Sequence, residues 1–141
     1  MFRPDVTPEV LNERGLGFLP RLIGIEIVKV SEEGLVGRLP VRRELLAPNG
    51  YLHAAAVIAL ADTLSGYGTI ANLPDGATSF ATIELKSNFV GTARDGVIVC
   101  SATPIHRGGT TQVWDAVVTH EATGRRIALF RCTQMILTAS R

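Results

Sequence analysis

Between Glu44 and Asp75 the chain carries one formal charge, the carboxylate of Asp62. The rest of that interval, "LLAPNGYLHAAAVIALADTLSGYGTIANLP", is apolar, small or neutral-polar. A run this long goes either into a bilayer or into a core. The part from Leu52 to Leu73 has the length of a membrane span. It contains Asp62, two glycines and several hydroxyls, however, and nothing else in the chain resembles a span, so a globular core is the better destination. The spacing predicts a helix from His53 to about Ala71, ended by the turn Pro74-Asp75-Gly76. At about 100° per residue, Val57, Leu60, Leu64, Tyr67 and Ala71 form one apolar stripe. Asp62 falls on the opposite face with Ala55, Ile58, Ala59, Ser65, Gly66 and Thr69, most of them small.

The segments on either side read as strands. "TPEVLNERG" predicts a short leading helix, with Thr7 as N-cap, Pro8 in the first turn and Gly15 just past the end. "RLIGIEIVKVSEEGLVGRLPV" predicts two strands joined near Glu32-Glu33-Gly34. "TSFATIELKSNFV" alternates, with Ala81, Ile83, Leu85 and Phe89 on one face and Thr82, Glu84, Lys86 and Asn88 on the other. "GVIVCSATPIH" and "TTQVWDAVVTH" flank a tight turn at Arg107-Gly108-Gly109, and "EATGRR" leads into "IALFRCTQMILT". One helix cannot cover both faces of six strands. The expected class is α+β, with a mainly antiparallel six-stranded sheet around one central helix. An uncovered face or edge then calls for a second copy of the chain.

The 141 residues suit a single domain over 1–141. A net charge of +1, with basic clusters no longer than Arg42-Arg43 and Arg125-Arg126, argues against a nucleic-acid partner. Cys100 and Cys132 sit in apolar strand-like runs without metal-ligand or redox spacing, which points to buried free thiols. The charged, proline-containing start "MFRPDVTPEVLNERG" lacks the apolar centre of a signal peptide, so a cytoplasmic location is expected. His106 and His120 fall at strand ends, Trp114 reads as core, and no His/Asp/Glu grouping suggests a metal. Glycine-rich nucleotide loops and serine-hydrolase elbows are absent.

Chemistry therefore concentrates on the central helix. Gly50 allows a tight turn in "NGYLHA", immediately before the first helical turn. The N–H groups of that turn lack helical partners and carry the positive end of the dipole, which can hold a developing oxyanion. The small-residue face around Asp62 fits two uses: close packing against a partner subunit, or the wall of a narrow slot with a reactive carboxylate. His53 and Asp62 are nine residues apart, about 13 Å along a helix, too far to serve one carbonyl from one chain.

At these residues the sequence resembles the hotdog-fold acyl-CoA thioesterases of the phenylacetic-acid-degradation and 4-hydroxybenzoyl-CoA type. Their pattern runs Asn-x-x-Gly-x-x-His-Gly-Gly and continues on the same helix to Leu-Ala-(Asp/Glu). Gly50, His53 and Leu60-Ala61-Asp62 match it. Ala47 stands at the family's asparagine, and His53-Ala54-Ala55 replaces His-Gly-Gly. The order of elements agrees over about residues 20–138.

The resemblance implies an acyl-CoA thioesterase without a separate cofactor, since coenzyme A belongs to the substrate. It implies a homodimer or dimer of dimers in which one chain's helix start meets the acid of its neighbour. Asp62 becomes the base or nucleophile, the Ala54 N–H the oxyanion donor, His53 the residue that orients loop or thioester, and Thr82 a positioner of water. Asn49, Gly50 and Ala55 would border the substrate. Arg107, Gly109, Thr110 and Thr111 lie in the hairpin turn that resembles the family's pantetheine contact, although a plain turn explains them equally. Two other functions fit the same fold: a hydratase or dehydratase that uses His53 with an acid, and an acyl-CoA binder without turnover.

Overall fold

The computed structural model describes residues 1–139. The elements are α1 (Pro8–Arg14), α2 (Leu19–Ile23), β1 (Glu26–Ser31), β2 (Gly34–Pro40), α3 (Ala54–Ile70), β3 (Ala77–Phe89), β4 (Val97–Arg107), β5 (Thr111–His120) and β6 (Arg126–Thr138). A single-turn 3₁₀ helix, Arg43–Leu45, leads towards α3. The strands form one sheet in the order β1-β2-β4-β5-β6-β3, and every neighbouring pair is antiparallel.

The run around Asp62 folds as its spacing predicts. His53 caps α3 and Ala71 closes it. Leu60 and Leu64 are fully buried between the helix and the concave sheet, together with Trp114. Trp114 packs so close under Gly68 that a Cβ there would overlap its ring. Removing that apolar stripe from water is the main force that seats the helix. Cys100 and Cys132 are buried free thiols, as expected.

Four expectations need correction. Arg21–Ile23 are helical, not the start of a strand. Pro20 supplies a first-turn φ, Gly24 ends the turn at φ +94°, and the Arg42 guanidinium donates to the Leu22 and Ile23 carbonyls at 2.9 and 2.6 Å. That last contact comes from far along the chain. Secondly, Gly15 keeps φ −78° at the end of α1, and the left-handed residue is Gly17.

Thirdly, a bulge divides β3. Thr82 pairs with Gln134, but Glu84 pairs with Thr133 and Leu85 with Cys132, which leaves Ile83 as the extra residue. Facing residues share a side of the sheet. Leu85, itself 37% exposed at the sheet edge, therefore shares a side with buried Cys132, whereas Ala81 lies opposite Met135 on the other side. Before the bulge the inward positions are Phe80, against Gly66, and Thr82, against Asp62. Finally, the small-residue face of α3 is only half open. Ser65, Gly66 and Thr69 are buried, so the accessible part is the stretch that holds Ala55, Ile58, Ala59 and Asp62.

The two sheet edges differ. On β1, Asn12 of α1 receives the Ile27 N–H at 2.8 Å and donates to the Ile27 carbonyl at 2.9 Å, so the edge backbone is partnered at that residue. β3 forms the other edge; Ile83 and Phe89 on it and Val90 just beyond it are 53%, 44% and 55% exposed.

Candidate active site

The loop before α3 is fixed by its own hydrogen bonds. Gly50, at φ +86°, donates its N–H to the Ala47 carbonyl at 2.9 Å, and the Ala47 N–H reaches the Tyr51 carbonyl at 2.7 Å. Asn49 Oδ1 accepts the Tyr51 N–H at 3.1 Å, so this side chain shapes the turn. The Arg94 guanidinium lies 4.2 Å from the centre of the Tyr51 ring. The His53 N–H then donates to the Leu45 carbonyl at 2.9 Å, which anchors the first residue of the cap.

His53 takes φ −68° and ψ 136°, and its Nδ1 accepts the Ala55 N–H at 2.9 Å. That bond assigns the remaining proton of the neutral ring to Nε2. The Ala56 and Val57 N–H groups turn back to the His53 carbonyl at 3.0 and 3.4 Å. Among the described residues, no acceptor reaches the N–H of Ala54, an exposed residue. One first-turn donor is therefore free, the N–H to which the family resemblance points. Beside it lies an open cavity of about 320 Å³, walled by Leu19 and Ile23 of α2, Leu46, His53, Ala55 and Ala59, with Glu44 at its margin.

Asp62 is half-buried further along α3. Its Oδ1 lies 3.1 Å from Thr82 Oγ1. Burial raises its carboxyl pKa above the ordinary value, and the Thr82 hydroxyl opposes that rise. The carboxylate is thus a stronger base than one in water. No group of three His, Cys, Asp or Glu side chains among the described residues could hold a metal.

Residues 49–127 match the thioesterase superfamily. The chain belongs to that family. Its sequence is 32% identical over 115 residues to a 1,4-dihydroxy-2-naphthoyl-CoA hydrolase of Listeria monocytogenes, covering 82% of this chain and 92% of that one. It is 29% identical over 139 residues to the proofreading thioesterase EntH of Cronobacter turicensis, covering 99% and 97%. A thioesterase from Pseudomonas aeruginosa superposes with a TM-score of 0.92 at 26% identity, over 98% of this chain and 99% of that one. The protein is a hotdog-fold thioesterase, and thioester hydrolysis is its class of reaction.

Within one thioesterase chain the expected site residues fall in three places. Asn49, Gly50, His53, Ala54 and Ala55 gather at the start of α3. Asp62 and Thr82 meet midway along it. Arg107, Gly109, Thr110 and Thr111 lie at its far end, where Arg107 donates to Asn72 Oδ1 at 3.0 Å and the Gly108 N–H closes on the Thr111 carbonyl at 2.9 Å. With α3 running from Ala54 to Ile70, that hairpin turn and the first helical turn of the same chain stand about 25 Å apart. Sequence reasoning missed Gln134, which is fully buried and lies 2.8 Å from Thr82 Oγ1. The available signal was an amide at an inward position of "CTQMI", between Cys132 and Ile136.

Proposed function

We propose that this thioesterase hydrolyses an acyl-CoA with an apolar acyl group, in a site shared by two copies of the chain. The unpaired Ala54 N–H, at a rigid helix start beside an apolar cavity, carries the reading. The thioester oxygen accepts from that N–H, with the positive end of the α3 dipole behind it. The acyl group lies in the cavity next to His53. Asp62 of the second copy removes a proton from water, the hydroxide adds to the carbonyl, and the tetrahedral intermediate expels the thiolate of CoA. The thiolate then takes the proton from Asp62. Direct attack by Asp62, with a mixed anhydride then hydrolysed, uses the same residues. Thr82 stands where it can orient Asp62 or water, and the hairpin turn Arg107–Thr111 would meet the pantetheine arm.

The second copy is supported by the difference between the two sheet edges. The β1 backbone is partnered by Asn12 at Ile27, whereas β3 exposes Ile83 and Phe89, with exposed Val90 just beyond it. A cytoplasmic location is supported by the free thiols Cys100 and Cys132. The hydrolase named 1,4-dihydroxy-2-naphthoyl-CoA hydrolase among the relatives makes aryl-CoA thioesters the first substrates to try. Purified protein offered a panel of acyl-CoAs with a thiol-trapping dye is expected to release free CoA. Loss of enoyl absorbance without thiol would identify a hydratase, and binding without either signal a carrier; both results defeat the proposal.

A further inference from the structure

Below Asp62, the concave face of the sheet holds a row of polar groups among apolar ones. Thr82 Oγ1 lies 3.1 Å from Asp62 Oδ1 and 2.8 Å from Gln134 Oε1. Gln134 Nε2 lies 3.3 Å from Cys132 Sγ. Gln134, Cys132 and Ser65 are fully buried; Ser65 Oγ adjoins the Cys132 thiol and, among the described residues, has no other hydrogen-bond partner.

A threonine hydroxyl has one proton. It cannot donate to Asp62 and to Gln134 Oε1 at the same time. Two arrangements satisfy Thr82 and Gln134. With Asp62 ionised, Thr82 donates to the carboxylate, the Gln134 NH₂ donates to Thr82 Oγ1, and Gln134 Oε1 accepts the Cys132 S–H. With Asp62 protonated, the carboxyl donates to Thr82, Thr82 donates to Gln134 Oε1, the Gln134 NH₂ turns to Cys132 Sγ, and the thiol proton passes to Ser65 Oγ. The two states differ by a half-turn of one amide, which leaves the heavy-atom positions nearly unchanged. Thr82 is exposed, but Gln134 is fully buried, and in both states its carbonyl and its NH₂ each keep a partner, which avoids the cost of an orphaned buried group.

We propose that Gln134 is a positioning residue that reverses its amide as Asp62 gains and loses its proton, so that Thr82 donates to the waiting base and accepts from the spent acid. The proposal rests on the reading of Asp62 as the base. It gives the unpaired Ser65 hydroxyl a role, and it explains why an amide occupies an inward position of β6. Asp62 from α3, Cys132 from β6 and Glu84 from β3 are the titratable groups around the row. Burial pushes the Cys132 thiol up to about 11, so it keeps its proton through the neutral range and can donate in either state.

The test needs no substrate. Carbon-13 NMR follows the Asp62 carboxyl titration in the wild type, Thr82→Val and Gln134→Met. Thr82→Val removes the donor to the carboxylate and raises the midpoint. Gln134→Met removes one neutral hydrogen bond from each state if the amide reverses, so the midpoint moves by less than about half a unit. A fixed amide behaves otherwise. With Oε1 held towards Thr82 the acid form alone loses its bond and the midpoint moves down; with Nε2 held there the carboxylate form alone loses it and the midpoint moves up. Either shift overturns the proposal. If Gln134 only packs, the titration is also unmoved, and the wild-type S–H band separates the two. Should Gln134→Met fail to fold, wild-type infrared spectra decide. The S–H band lost in Cys132→Ala must shift with the Asp62 midpoint, and a band that stays fixed refutes the reversal. If the reversal is seen but no thioester is cleaved, the hydrolase reading fails alone.

Discussion

Replacement of Ala54 by proline isolates one hydrogen atom. The residue is the first of α3, where proline is well tolerated because the N–H it lacks has no helical partner. Proline also restricts the residue before it to extended backbone, and His53 already sits at φ −68° and ψ 136°. The Ala54 N–H has no acceptor within the described chain, so the fold loses no bond. Stability is therefore expected to change little, or to rise by about 0.4–1 kcal/mol through a less flexible unfolded chain. Catalysis is expected to fall by about 10²–10³-fold in kcat, the usual cost of one oxyanion-hole donor. That is about 2.7–4 kcal/mol of barrier, lost without loss of stability. Thermal melting together with thiol-release kinetics measures both. A folded variant with wild-type turnover would remove the helix start from the mechanism.

The companion Ala54→Gly keeps the N–H and the helical turn, so its kcat should stay within about tenfold of wild type; a larger gain would mean that the Ala54 methyl obstructs the thioester. Asp62→Asn should cost at least about 10²-fold in turnover, since the amide is nearly isosteric but neither base nor nucleophile. Its effect on stability has the opposite sign. The folded carboxyl has a raised pKa, so the wild type loses stability as pH rises from the ordinary value of 3.8 through the folded value, and the variant does not. The variant should melt higher at pH 7, with the gap closing below pH 3.8; a gap that widens in acid would reverse the assignment. Mixing the inactive Ala54→Pro and Asp62→Asn chains, with subunit exchange, should restore about a quarter of wild-type activity, because half the dimers are hybrids with one intact site of two. No restoration, or a 15.1 kDa monomer in sedimentation at micromolar concentration, would defeat the shared site.

What the sequence disclosed about this protein follows the range of the forces involved. The boundaries of α3 were legible because periodicity, the Gly50 turn and the Pro74-Asp75-Gly76 stop all act within a few residues. That the start of α3 leaves orphan donors was legible for the same reason; that the Ala54 N–H is the free one depends on the His53 ring, which takes the Ala55 N–H. α2 was not, because part of what closes Leu19–Ile23 is the Arg42 guanidinium, some twenty residues away. The surroundings of Asp62 were hidden more deeply. Alternation puts Thr82 in phase with Glu84, Lys86 and Asn88, a row that looks solvent-facing. The single extra residue Ile83 breaks that phase, so Thr82 turns inward while the charged positions after it remain outside. A bulge is a property of the pairing between β3 and β6, and neither strand announces it alone. Gln134 follows from the same register: opposite Thr82 it completes a row to Asp62, and one position along it would face away from the helix. The lone carboxylate of the charge-free run is therefore understood through residues about twenty and seventy positions away, brought to it by one irregularity in the sheet.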